Sequence, residues 1–172
     1  MKKLKFAFLG LLLPAMVACD GGEIDAPWPS GGGTTTYEPV MMSRSQLESS
    51  IAFKPARSLN NAGKIYMLGD YIYISERYKG IHIINNADPQ NPVNEGFIQV
   101  PGNLDVAGKD NMLYVDNGVD LVSIDISDPN TLRVTDRVKN ALPEILPPDG
   151  GVVAKSTKPQ DAVIVGWTLA KK

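Results

Sequence analysis

Hydrophobic and polar residues alternate, or form short apolar runs, over two successive segments between residues 63 and 140. Both segments are rich in Tyr, Ile and Val, which predicts β-strands. The first contains strand-like runs at 70–74 and 80–85, and the second contains matching runs at 111–115 and 120–125. Equivalent residues lie about 40 positions apart, a spacing typical of propeller blades and other repeat arrays.

Each repeat offers two further strands. A third run follows at 93–100 in the first copy and at 132–138 in the second, and a fourth precedes each copy at 65–68 and 103–107. Four short strands in about 40 residues is the plan of a propeller blade. The predicted fold class is therefore all-β: two four-stranded propeller-blade-like repeats, 63–102 and 103–140, in an open or incomplete β-propeller after a signal peptide and flexible linker.

Turn residues separate these runs. Asn117-Gly118 predicts a type I′ hairpin turn, which needs positive φ at both positions. The equivalent turn of the first copy, residues 75–80, is longer. Asp-Pro pairs end the second strand of each copy, at residues 88–89 and 128–129, because proline lacks an N–H and aspartate accepts from nearby N–H groups.

The flanking segments are less regular. In the lead-in segment, residues 37–62, the spacing of Ser45 and Glu48 matches a capping box and predicts a short helix over residues 44–50. The C-terminal segment, residues 141–172, holds one predicted strand at 162–167. We expect it to pair with an edge of a repeat as a partial third unit. Because a complete propeller has at least four blades, we expect an open pair with an exposed apolar flank.

The N-terminus has the form of a signal peptide, residues 1–18. Three lysines precede an apolar run at 6–13 that is too short to span a bilayer as a helix. Met16-Val17-Ala18-Cys19 resembles a bacterial lipobox, which implies cleavage before Cys19 and attachment of lipid to it. An ordinary secretory signal in which Cys19 occurs by chance is the alternative. Several acyl chains would hold the protein on a membrane of the bacterial cell envelope, at the outer membrane or cell surface.

Residues 19–36 are mainly Gly, Pro, Ser and Thr, a composition that predicts a flexible tether. Trp28 lies between two prolines of this tether, either as an incidental exposed aromatic residue or as a small docking motif. Cys19 is the only cysteine, which excludes an intrachain disulfide and a cysteine-cluster metal site.

The chain carries 17 basic and 19 acidic residues. The first 18 residues contain three lysines and no acid, so the mature chain has a formal net charge of −5. This mildly acidic balance gives no electrostatic reason to expect nucleic acid as a partner.

The candidate catalytic side chains do not form a recognisable set. His82 is the only histidine; it alternates with isoleucines, which favours a structural or surface role over a catalytic dyad or zinc site. Four aspartates lack the spacing of an EF-hand calcium loop and fit turn and strand-end roles: Asp116, Asp120, Asp125 and Asp128. Glu76-Arg77 lies in the long turn, where it forms either a binding tip or an exposed charged turn. We therefore expect no catalytic, cofactor-binding or metal residues.

Residues 81–85 (Ile-His-Ile-Ile-Asn) and 121–125 (Leu-Val-Ser-Ile-Asp), each followed by Asp-Pro, resemble the LVIVD repeat. The second copy is the closer match, since His82 and Asn85 depart from the pattern. The resemblance covers about half of the chain. It implies a bacterial or archaeal cell-surface protein with β-propeller repeats, and it implies no particular activity.

These observations favour a lipid-anchored cell-envelope protein that acts as a noncatalytic binding or scaffolding module. Its partners would be the membrane, through lipid on Cys19, and either another protein or a second copy of itself. Two alternatives stay open: a fragment of a longer propeller protein, and a propeller-type hydrolase without a readable active site. Paired acids and a histidine converging on a pocket would support the hydrolase, and the sequence shows no such set.

Replacing Cys19 with serine tests the lipid anchor. Cys19→Ser should block cleavage before residue 19 and abolish acylation, because the modifying chemistry needs the thiol. Mass spectrometry of the mature N-terminus measures both effects. An unmodified Cys19 in the parent protein, or cleavage at another position, would contradict the prediction.

Overall fold

The computed structural model describes residues 33–128, 131, 133–153 and 158–171. The signal peptide, Cys19 and Trp28 lie outside these ranges. Within them the chain forms one helix and eleven strands: β1 Tyr37–Ser43, α1 Arg44–Glu48, β2 Ala52–Lys54, β3 Ala62–Leu68, β4 Tyr71–Glu76, β5 Gly80–Asn85, β6 Val93–Gln99, β7 Val106–Lys109, β8 Met112–Asn117, β9 Asp120–Asp125, β10 Arg133–Val138 and β11 Ala162–Leu169. No helix in this part of the chain is long and apolar enough to cross a membrane.

The strands form three antiparallel sheets, and none of those described closes on itself. The first sheet has the order β2-β6-β5-β4-β3, and the second sheet has the order β10-β9-β8-β7. Each therefore contains four consecutive strands that meander up and down. The third sheet is a two-stranded ribbon of β1 and β11. The all-β prediction is confirmed.

The two meanders share one pairing register. Tyr73 pairs with Ile83 in the first sheet, and Tyr114, 41 residues later, pairs with Ser123 in the second. The ladder between the last two strands of each meander shifts register at the same place, after Ile83 in one and after its counterpart Ser123 in the other. The two meanders therefore have the same pattern of backbone hydrogen bonding, 40 to 41 residues apart.

The main core lies between the first and second sheets, where an apolar face of each is buried. Burial of these faces is the largest favourable contribution to folding, about 25 cal/mol per Å² of apolar surface. The buried side chains are Tyr73, Ile81, Ile83, Ile98, Val100, Val106, Leu113, Val115, Val122 and Ile124. Backbones approach closely at Gly108, where an added Cβ would lie 2.9 Å from the ring of Tyr66.

The hairpin turn of the second sheet differs from the prediction. Asn117 pairs with Asp120 and still belongs to β8, so the two-residue loop is Gly118-Val119. Only Gly118 has positive φ, +66°, which is the pattern of a type II′ turn rather than type I′. Asn117 instead uses its side chain, whose Nδ2 donates to the Pro101 carbonyl at 2.6 Å.

The first hairpin has a three-residue loop, residues 77–79, between Glu76 and Gly80. Its middle residue, Tyr78, has a φ of +66°. The short helix begins at residue 44 as predicted, but it ends at Glu48 rather than at residue 50, and its cap differs from the prediction. Ser43, rather than Ser45, is the N-cap and forms the capping box with Gln46.

The β11 strand does not pair with an edge of either meander, so the expectation of a partial third unit is wrong. It pairs with β1 along its whole length. Ala162 to Trp167 are buried in succession, because the ribbon covers the hairpin ends of both sheets. Val163 and Val165 pack there with Leu47 of α1 and Val119 of the second hairpin.

Gly118 lies in the second hairpin and Gly69 in the turn between β3 and β4. Comparing alanine at the two positions separates the cost of backbone conformation from the cost of limited space at the second hairpin. Gly69→Ala should cost about 1–2 kcal/mol, the usual penalty of left-handed backbone, since φ is +58° and the space around it is open. Gly118→Ala should cost about 1 kcal/mol more, because the new Cβ would lie 2.9 Å from Val163. Urea unfolding measures both losses, and equal losses would contradict the tight packing of ribbon on hairpin.

Candidate binding cleft

A cleft of about 730 Å³ opens between the ribbon and the loop of the first hairpin. Both β1 and β11 contribute side chains to it, and residues 77–79 form the opposite wall. The described lining residues are Tyr37, Val40, Met42, Asn61, Arg77, Tyr78, Lys79, Pro101, Pro148, Val165, Gly166, Trp167 and Thr168. Its volume lies within the usual range for small-molecule sites.

Two backbone hydrogen bonds hold Tyr78 in the cleft wall. Its backbone N–H donates to the Asn103 carbonyl at 2.7 Å, and its carbonyl accepts from the Gly102 N–H at 3.0 Å. These two bonds stabilise the left-handed backbone that a tyrosine otherwise avoids. Its ring lies against Gly166, where an added Cβ would be only 3.0 Å away. The wall therefore needs both the strained tyrosine and the glycine opposite it.

Trp167 forms part of the floor. Its Nε1 donates to the Ile145 carbonyl at 3.0 Å, which satisfies the only polar atom of the indole. The ring packs with Ile145 and Ile164, and Tyr37 and Tyr78 pack against this cluster. The floor is thus aromatic and aliphatic, without an unpaired indole N–H.

The charge of the cleft is one-sided. Arg77 and Lys79 are exposed at its edge, and none of the lining residues named above is acidic. The Arg77 guanidinium lies 5.9 Å from the centre of the Tyr78 ring, within cation–π range. An apolar floor beside two cations can hold a ligand that has an apolar body and a negative charge.

Glu76 lies behind this loop and is fully buried, so the prediction of an exposed charged turn at Glu76-Arg77 is right for Arg77 and wrong for Glu76. Arg57 Nη2 donates to Glu76 Oε1 at 2.9 Å, and His82 Nε2 donates to Oε2 at 2.8 Å. Burial raises the pKa of Glu76, but the bonds from His82, Arg57 and Lys79 outweigh it and lower the pKa below its ordinary value.

His82 is fully buried, which fits the predicted structural role and shows that the alternative surface role is wrong. Its ring meets the Phe97 ring edge-on, with 4.8 Å between centres. Its Nδ1 has no hydrogen-bond partner among the described residues. Glu76 and His82 do form an acid–histidine pair, yet neither lines the cleft.

Asp120 forms a second buried cluster at the hairpin end of the second sheet. Arg44 Nη1 donates to both carboxylate oxygens, at 2.7 and 2.8 Å, and Arg137 Nη1 donates to Oδ2 at 2.8 Å. Burial raises the pKa of Asp120, but the Asn140 N–H and the two arginines outweigh it, so the pKa is lowered. This cluster joins helix α1 to the second sheet.

The other three aspartates serve turns and strand ends, as predicted. Asp116 accepts from the Leu104 N–H, and burial raises its pKa. Asp125 accepts from the Ser127 N–H at 2.9 Å, and Asp128 accepts from the Thr131 hydroxyl at 2.8 Å. Across the described ranges, no three His, Cys, Asp or Glu side chains gather closely enough to hold a metal ion.

Sequence reasoning did not find the cleft. Its walls come from segments far apart in the chain, near residues 37–42, 77–79 and 165–168. The one available signal was the longer turn of the first repeat, which contains Tyr78. Cys19, the only site residue that the sequence predicted, lies outside the described residues.

Comparison with known protein families found no family that matches this chain. Comparisons with curated proteins and with solved structures also found no match. The resemblance to the LVIVD repeat therefore stays a prediction from the residues that carry it.

The Asp120 cluster makes a stability prediction. Asp120→Asn should lower the free energy of unfolding by about 3 kcal/mol, because it leaves two arginines beside a neutral group in a largely buried site. Asp125→Asn, in the same strand, should cost much less, since its partner Arg133 is mostly exposed. Urea unfolding at neutral pH measures both variants. Equal losses would contradict a special role for the buried cluster.

The Asp120 cluster also predicts how the stability of the protein changes with pH. Because the pKa of Asp120 is lowered on folding, its contribution is complete above the ordinary value of 3.8 and is lost as pH falls below it. Asp120→Asn should therefore lose less stability than the parent protein between neutral and strongly acidic pH. A parallel loss in both proteins would contradict the assignment.

Proposed function

We propose that this protein is a lipid-anchored cell-envelope protein whose folded part is a noncatalytic binding module. The observation that carries the binding role is the cleft between the ribbon and the first hairpin loop, with its apolar floor and positive edge. The lipobox-like residues ending at Cys19 support the anchor, and the tether that follows would separate the module from the membrane surface.

The two meanders are, in this proposal, blade-like repeats of an open β-propeller of the kind implied by the LVIVD resemblance. Their common pairing register supports this, since it extends from the first strand of each meander to the last. Each has four strands, as a propeller blade does. The ribbon is then an addition outside the repeat, and it turns the hairpin end of one blade into a binding site.

The ligand class follows from the side chains that meet in the cleft. Trp167, Tyr37 and Tyr78 offer flat aromatic surface, while Arg77 and Lys79 favour a carboxylate, phosphate or sulfonate. Lys79 also lies 3.4 Å from Glu76, which leaves Arg77 as the less neutralised cation. We infer an anionic ligand with an apolar or aromatic body, free or as part of a larger partner.

Two matched valines test the cleft with a defined probe, 8-anilinonaphthalene-1-sulfonate, which is aromatic and anionic. Val40 lines the cleft, whereas Val134 lies on edge strand β10, and both are 41% exposed. The parent protein should enhance the fluorescence of the probe. Val40→Glu should remove most of this enhancement by adding a charge to the apolar floor, and Val134→Glu should preserve it.

Arg77→Glu supplies the test of the positive edge, and it should weaken binding of the probe without changing the far-ultraviolet circular dichroism. Lys54→Glu serves as a control, because Lys54 is an exposed cation that is not among the residues lining the cleft. If Val40→Glu binds the probe as well as Val134→Glu does, the cleft is not the site and the proposal fails.

A further inference from the structure

The two sheets pack front to back rather than face to face. We call the face of the first sheet that carries Tyr73, and the equivalent face of the second sheet, the front. The opposite face, which carries Val115 in the second sheet, is the back. The front of the first sheet contacts the back of the second in the main core. Through the shared register, Tyr73 corresponds to Tyr114, and Ile74 corresponds to Val115. The back of the first sheet and the front of the second sheet therefore take no part in this interface.

Equivalent front positions differ sharply in exposure. Tyr73 is 4% exposed against the second sheet, while its counterpart Tyr114 is 38% exposed. Ile98 is fully buried, while its counterpart Val138 is 51% exposed. The front of the second sheet therefore repeats a packing surface of the first, but the described residues leave it partly uncovered.

The back positions show the same contrast. Val106 is 1% exposed in the second sheet, and its counterpart in the first, Ile65, is 61% exposed. Ile65 pairs with Ile74, and exposed Met67 pairs with Ile72, so the open apolar side chains are direct cross-strand neighbours. Ile84 extends this patch on the next strand. Patches of this kind on soluble proteins mark interaction surfaces.

We propose that a second copy of this chain covers the patch. The front of the second sheet in one copy would pack on the back of the first sheet in the next copy, and so continue the interface that already exists within each chain. The contact is head to tail, since it joins two different surfaces, and it can repeat to form a ring or a row. This proposal does not depend on the cleft.

The internal interface supplies the register of the proposed contact. Inside the chain, Tyr66 lies over Gly108, and its hydroxyl donates to the Gly108 carbonyl at 2.5 Å. The counterpart of Tyr66 is Ala107, and the counterpart of Gly108 is Met67. A large side chain over glycine is thus replaced by a small side chain over methionine. The exchange conserves the space between the sheets and places Ala107 of one copy opposite Met67 of the next.

One end of the back face is already covered within the chain. The Arg57 guanidinium lies 4.7 Å from the centre of the Phe97 ring, and Phe97 and His82 are buried there. The open part of the face is consequently the part nearer edge strand β3, which carries Ile65 and Met67. This is also where the internal template places the contact.

Cysteine cross-linking in the full-length, membrane-anchored protein tests the proposal. Ala107→Cys and Met67→Cys are made singly and together, and isolated membranes are treated with a mild oxidant. The double variant should give a ladder of disulfide-linked species, and the two single variants co-expressed should give a heterodimer. The parent protein reports any background from Cys19. Ala107→Cys combined with Leu146→Cys is the matched control, since Leu146 is exposed but lies on neither sheet.

Each outcome decides the proposal. A ladder confined to the Ala107/Met67 combination supports it. A homodimer of Met67→Cys alone would mean back-to-back contact, and no cross-link in a double variant that melts like the parent would mean that no second copy binds there; either result overturns it. Val40→Glu should leave the cross-link unchanged, so a failed cleft and a failed contact are distinguishable.

Discussion

The fold depends on the burial of the front of the first sheet against the back of the second sheet. Tyr73 and Ile83 on one side and Leu113 and Val115 on the other lose their contact with water only when the two meanders stack. Neither meander has a buried apolar face by itself, so the two must order together. The ribbon and helix α1 then pack against this pair of sheets.

The lead-in segment is fixed to the pair by buried charges as well as by apolar contacts such as that of Leu47 with Val119. Arg57 reaches Glu76 in the first sheet, and Arg44 reaches Asp120 in the second. Both acids lie at the hairpin ends, are fully buried and keep a lowered pKa because their partners outweigh the cost of burial. Buried ion pairs contribute little net stability, but removing one partner is costly, which makes such pairs suited to fixing where a segment lies.

Local patterns predicted most of the strands, because alternation and turn residues are properties of short segments. The pairing of β1 with β11 was not predictable in this way, since about 125 residues separate the partners and nothing local marks the pairing. The turn type at Gly118 was missed for a related reason: the Asn117 side chain is recruited by Pro101, a tertiary contact. The cleft is formed by β1, β11 and the loop of the first hairpin, which are far apart in the chain, so the sequence predicted its chemistry least well.

The two hairpins differ by one loop residue, and this small difference gives the two meanders different surfaces at their hairpin ends. The shorter loop lets Gly118 lie flat under the ribbon, whereas the longer loop carries Tyr78 outward into the cleft wall. The interface between the two meanders constrains the strands of both, but it does not constrain the hairpin loops. One additional loop residue is therefore enough to give the first meander a cleft wall where the second has only a surface that supports the ribbon, and the stack of sheets is unchanged.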